Sequence, residues 1–149
     1  MKKLSLTKGY ITLVDDEDFE KLSRYRWKVV DSGKPYAARS EYVGGGKFRT
    51  VYMHRELCPT DKTVDHINGE SLDNRKSNLR PATRSQQAMN RKSKVDGPKG
   101  VQFRLDSDMY RAYLGNRYLG QFASKTEASN AYDKAAIKEY GSFARVNRG

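Results

Sequence analysis

Residues 63–80 read TVDHINGESLDNRKSNLR. Asp65 stands directly against His66, one of the chain's two histidines, and three asparagines follow. Around this stretch YMHRELC suggests one or two helical turns. The pair Asn68-Gly69 is a strong type I′ turn signal, and SLDNRKSNLR suits a strand or irregular chain. TRSQQAMNRKSK reads as a helix capped by Thr83 or Ser85. The outline is a tight β-hairpin followed by a helix.

That combination suits attack on a phosphodiester. Water must lose a proton, charge on the phosphate must be neutralised, and the leaving oxygen must be stabilised. Histidine titrates nearest neutrality and can take the proton. A divalent cation on oxygen ligands can do the rest. Carboxylate and amide oxygens suit Mg²⁺ or Mn²⁺. Adjacent strand residues point to opposite faces, so Asp65 and His66 would flank a reaction centre rather than share one ligand.

The run MHRELC…VDHINGESLDNRKSNLRPATRSQQAMNR resembles the core of HNH endonucleases of the phage and intron-encoded homing type. The likeness spans about residues 50–92. It rests on Met53-His54-Arg55, Asp65-His66, Asn68-Gly69, Asp73-Asn74-Arg75, Asn78-Leu79-Arg80 and the helix behind them. It implies a ββα-metal fold with one Mg²⁺ or Mn²⁺, Asp65 as a metal ligand, His66 as general base and Asn78 bracing the loop that carries the base. Where the family places its last His or Asn ligand, this chain has Gln87, with Asn90 one helical turn on as the alternative. His54 is read as structural or as a phosphate contact, in preference to a second catalyst. Arg55, Arg75, Arg84 and Arg91 flank the pocket as candidate phosphate contacts.

Upstream, GYITLV, WKVV, YAARSEYV and FRTVYM read as strands, with DDEDFEKLSRY as a helix between the first two. Gly44–Gly46 suit a hairpin tip. Downstream, KSKVDGPKG reads as a linker. Then VQFR, MYRAYL and RYLGQF alternate, and Ser124 to Glu127 form a capping box ahead of a helix that stops at Gly141.

This last part, GVQFR…MYRAYL…RYLGQFASKTEASNAYDKAAIKEYGSFARVN, resembles an AP2 DNA-binding domain over about residues 100–147. Tyr118-Leu119-Gly120-Gln121-Phe122, Ala128 and Ala131-Tyr132-Asp133 carry the likeness, and Tyr110 stands where a tryptophan is common. The resemblance implies that the sheet face away from the helix reads the major groove. Alternation independently points Val101, Phe103, Tyr110, Ala112, Leu114 and Leu119 inward. Gln102, Arg104, Arg111, Tyr113 and Tyr118 then point outward, where arginine and glutamine can bond to base edges.

The expected fold is therefore α+β. A strand-rich extension (1–52) leads into the ββα core (53–92), a linker (93–99) and a three-stranded antiparallel sheet with one helix (100–149). The formal charge of +11 is spread as +4, +3 and +4 over residues 1–53, 54–98 and 99–149. All three parts could therefore lie against one polyanion. Double-stranded DNA is the expected partner. The N-terminal strands are read as adding to both the core and the DNA-contact surface.

No apolar run approaches the ~20 residues of a membrane span. The start reads as no secretory signal, and Cys58, the single cysteine, makes no internal disulfide or cysteine-based zinc site. A cytosolic monomer without a small-molecule cofactor is expected, nicking one strand, with dimeric double-strand cleavage as the alternative. The rival readings are a DNA-binding regulator with a vestigial core and, behind it, a non-catalytic RNA-binding protein.

Overall fold

A computed structural model describes residues 1–94 and 96–147. The chain divides into two compact units, Met1–Thr83 and Arg84–Gly149. The division falls just before the helix that follows the Asp-His stretch, and the residues read as a linker lie inside the second unit.

In the first unit, β1 (Lys2–Ser5) pairs antiparallel with β2 (Ile11–Val14). Helix α1 (Asp16–Ser23) opens with three acidic residues, which favour the positive end of the helix dipole. Strands β3 (Lys28–Asp31), β4 (Pro35–Gly44) and β5 (Lys47–Tyr52) form an antiparallel sheet in chain order, and Gly44–Gly46 turn the last hairpin as expected. The short α2 (Met53–Leu57) follows at once. Leu4, Leu6, Val14, Leu22, Trp27, Val29, Ala37 and Met53 gather into one core. Trp27 donates its indole N–H to the Leu22 carbonyl at 2.8 Å, so the largest core side chain is also satisfied. Strand β1 escaped the sequence reading, because KKLS has no apolar alternation and only Leu4 of the four is buried.

The remaining pair of the first unit is β6 (Thr63–His66) with β7 (Leu79–Ala82). It is not the tight hairpin that Asn68-Gly69 suggested. Residues 67–78 separate the strands, ending in a 3₁₀ turn at Lys76–Asn78. Among the described residues only Lys8 and Asp108 are non-glycines with positive φ, so Asn68 lacks the left-handed conformation a type I′ turn needs. Its side chain is committed elsewhere. Asn68 Nδ2 donates to Asp73 Oδ2 at 2.9 Å, and its Oδ1 accepts from Asn78 Nδ2 and from the Glu70 N–H. An amide network thus shapes a long loop where a closing ladder was expected.

That loop runs alongside β2. The Leu13 N–H donates to Leu72 O, and the Asn74 N–H donates to Leu13 O, both at 2.8 Å. At its far end Lys76 meets the start of α1, with Nζ 3.0 Å from both Glu17 and Asp18 and its N–H on Asp15. The carboxylates of Asp15, Glu17 and Asp18, at the start of α1, therefore hold the loop.

The second unit starts with α3 (Arg84–Met89), shorter than the helix read from the sequence. Strands β8 (Val101–Arg104), β9 (Met109–Leu114) and β10 (Arg117–Phe122) form an antiparallel sheet with β9 central. Helix α4 (Lys125–Tyr140) carries the expected capping box, Ser124 with Glu127. Its residues Tyr132 and Ala136 pack with Leu114, against Met89, Leu119, Ala135, Tyr140 and Ala144. Met89 thereby ties α3 to this core. Lys99 Nζ caps the helix end, donating to Met89 O at 2.7 Å and Arg91 O at 2.8 Å.

Candidate active site

Strand β6 ends on the acid–imidazole pair. Asp65 and His66 are 5% and 7% exposed. Asp65 lies opposite Arg80 on β7, whose Nε and one terminal nitrogen each come within 3.0 Å of Oδ2. His66 engages other groups, as strand alternation requires. Its Nε2 is 3.1 Å from Asn74 Oδ1. Its ring lies 5.3 Å from that of His54 and 6.2 Å from that of Tyr36. Burial holds the His66 pKa below the ordinary 6.5. The Asn74 hydrogen bond and the charges of Asp65 and Asp73 oppose that shift, and Lys34 adds to it. The imidazole is therefore neutral at neutral pH and able to accept a proton.

Asn78 is bonded across the 67–78 loop. Its Oδ1 accepts the Asn68 N–H at 3.0 Å, and its Nδ2 donates to Asn68 Oδ1 and to the Asp73 carbonyl. The Ile67 N–H, next to His66, donates to the Asn78 carbonyl at 2.9 Å. The residue is buried, so each of these bonds is costly to break.

His54, on α2, sits against His66 and between Tyr36 and Tyr52, with ring centroids 5.4 and 5.6 Å away. Burial first, then the charges of His66 and Arg55, lower its pKa to about 4. Of the flanking arginines, Arg55 is exposed and Arg75 is held by Asp73 through two bonds of 2.8 and 2.7 Å. Arg84 and Arg91 are exposed on the second unit. Gln87 stands on α3, half-buried, and Asn90 follows α3, buried, its carbonyl accepting from Arg145 at 3.1 Å.

For a cation, the first unit offers the Asp65 carboxylate, a hard oxygen donor suited to Mg²⁺ or Mn²⁺. It sits in a buried place beside the histidine. The guanidinium of Arg80 already supplies one positive charge to the same carboxylate.

On the sheet of the second unit, pairing places Gln102, Arg111 and Gln121 in one row across three strands. Arg111 Nε donates to Gln121 Oε1 at 3.1 Å. Tyr113 and Tyr118 form the next row, with rings 5.5 Å apart. Arg104 pairs with Asp106 at 3.3 Å. Gln121 was missed because a β-bulge between Tyr118 and Gly120 shifts the alternation by one residue. Phe103, read as inward, is half-exposed and rests on Tyr110 at 5.0 Å, on the sheet edge. In the first unit the sequence reading missed Asn74 as a partner of the histidine and Thr12 as a partner of Asn74. Asn74 lies within the motif, but Thr12 is 62 residues away from it in the chain.

Comparison with known proteins adds two findings. Residues 51–89 match the HNH endonuclease family model. A protein of Acanthamoeba polyphaga mimivirus, named as an uncharacterized HNH endonuclease, is 28% identical over 145 residues, covering 95% of this chain and 76% of that protein. No solved structure matches. The segment 51–89, which contains the Asp65-His66 pair and the Asn78 loop, is thus similar to HNH endonucleases, and the two matches together support a nuclease.

Proposed function

We propose that the chain is a metal-dependent DNA endonuclease that nicks one strand as a monomer and is guided to its target by the second unit. The observation that carries this reading is His66. It is a buried, neutral imidazole, held from one side by an amide and set beside a carboxylate on the same strand. In the proposed step His66 takes a proton from water as that O–H bond breaks. The water oxygen bonds to phosphorus, the bond from phosphorus to the leaving oxygen breaks, and solvent protonates that oxygen. Asn78 holds the loop behind the base. Asp65 is the proposed first-unit ligand of the cation. Gln87, with Asn90 as alternative, is the ligand proposed from the second unit on the motif alone. When bound, the cation supplies charge neutralisation at the phosphate and the leaving group.

The second unit is a three-stranded sheet backed by one helix, the arrangement that suggested an AP2-like module. Its open face, with Gln102, Arg104, Arg111, Tyr113, Tyr118 and Gln121, is the proposed DNA-reading surface. Arg55, Arg75, Arg84 and Arg91 are proposed phosphate contacts. No helix among the described residues is long and apolar enough to cross a membrane.

Relaxation of supercoiled plasmid with Mg²⁺, Mn²⁺ or EDTA tests the reading. The intact chain should nick with a divalent ion, and His66→Ala should stop nicking while still binding DNA. The second reading, a DNA-binding regulator with a vestigial core, is favoured by the Arg80 guanidinium on Asp65. It is supported if the intact chain binds DNA and no divalent ion produces nicks.

A further inference from the structure

Thr12 is fully buried on β2, and Asn74, in the loop, is 1% exposed. Both are polar, and their hydrogen bonds form a line that reaches His66. Chemistry sets the direction of that line. The Leu72 carbonyl can only accept, and it takes the Leu13 N–H at 2.8 Å and the Thr12 hydroxyl at 2.7 Å. The other acceptor in reach, the Met53 thioether at 4.0 Å, is weak, so the single hydroxyl proton of Thr12 is committed to Leu72. Thr12 Oγ1 must then accept from Asn74, whose Nδ2 lies 2.8 Å away. With its nitrogen turned to Thr12, the amide presents its oxygen to His66 Nε2 at 3.1 Å, and that oxygen can only accept. Rotating the amide by half a turn would draw the Thr12 proton away from Leu72 and leave two oxygens 2.7 Å apart with no proton between them.

We infer that Thr12 and Asn74 are positioning residues that hold neutral His66 as its Nε2–H tautomer, making Nδ1 the nitrogen that accepts the proton of the attacking water. The tautomer follows from the Thr12 and Asn74 hydrogen bonds. Its catalytic consequence rests on the nuclease reading above. The N-terminal strand pair then serves as more than core, because a residue of β2 governs which nitrogen of the base is basic.

The test is a long-range proton–nitrogen NMR correlation on the full chain with ¹⁵N-labelled histidine, at a pH where His66 is neutral. His54→Gln assigns the two rings. The expected spectrum shows His66 with a pyridine-type Nδ1 and a pyrrole-type Nε2. Thr12→Val removes the hydroxyl and frees the Asn74 amide to turn. It should give a mixture of tautomers and slow plasmid nicking by about tenfold or more, within the range general-base catalysis supplies, without changing KM for DNA. Thr12→Ser should restore both. A pyrrole-type Nδ1 in the unmodified chain overturns the inference, as does a Thr12→Val tautomer identical to that of the unmodified chain. If Thr12→Val does not fold, the spectra of the unmodified chain and of Asn74→Asp, which keeps the accepting oxygen and should keep Nε2–H, decide. A chain that shows the expected tautomer yet cuts no DNA refutes the nuclease reading and leaves the tautomer assignment standing.

Discussion

Mild acid should loosen the first unit through His54. In the folded chain this ring is enclosed by Tyr36, Tyr52 and His66, and burial lowers its pKa from 6.5 to about 4. The unfolded chain binds the proton from pH 6.5 downward, and the folded chain resists it until about pH 4. The stabilisation from the neutral ring is fully present above 6.5, is lost as pH falls, and changes no further below the folded value. One proton is worth about 1.4 kcal/mol per pH unit, so the loss by pH 5 is about 2 kcal/mol at most. That is a large share of a typical domain's stability. The assay is urea unfolding followed by the fluorescence of Trp27, the only tryptophan, which lies in the first unit's core. Unfolding free energies would be collected from pH 7.5 to 4 for the intact chain and for His54→Gln. His66 titrates in the same direction in both proteins, so the difference in slope isolates His54. The variant should lose less stability on acidification, by up to one proton's worth. Equal slopes would refute the claim that the ring is held neutral by burial.

Three further outcomes are expected. Gly100 has φ +75°, and a Cβ there would strike the Tyr132 ring and the Tyr113 carbonyl. Gly100→Ala should therefore unfold or severely destabilise the second unit, seen as loss of its amide dispersion by NMR while Trp27 fluorescence stays native. Ser124→Ala removes the α4 cap, whose Oγ accepts the Glu127 N–H at 3.2 Å. It should cost about 1 kcal/mol in thermal or urea unfolding of that unit. Arg111→Ala removes the centre of the Gln102–Arg111–Gln121 row, and plasmid or oligonucleotide binding should weaken with the greatest loss on the preferred sequence. A lysine at the same site should restore much of the nonspecific, salt-sensitive binding and little of the preference.

Local pattern carried the elements that depend on nearby residues. Alternation in MYRAYL set β9, the Ser124–Glu127 box set the start of α4, and the acids of DDEDFEKLSRY set the start of α1. These signals act within one or two turns of chain, so they can be read without knowing what packs above them. Asp65, His66 and Asn78 were singled out because residue types and spacing match a motif, and the structure places the first two, buried, at the end of β6 and the third bonded across the loop that follows. Where tertiary contacts outbid a local preference, the reading failed. Asn68-Gly69 did not make a tight hairpin, because the Asn68 amide bonds to Asp73 and Asn78. The face of β10 changed phase at a bulge that the sequence showed only as a glycine.

By itself, then, the sequence determined the charge, the order of strands and helices apart from β1 and the long loop, and the presence of the adjacent acid and imidazole. These depend on composition and on interactions a few residues long. Only the tertiary structure decided what His66 is bonded to. Thr12 and Asn74 meet across 62 residues because the 67–78 loop lies along β2. No spacing rule encodes that meeting, since it depends on a loop path set by amide bonds, by the Lys76 contacts with α1 and by the core beneath.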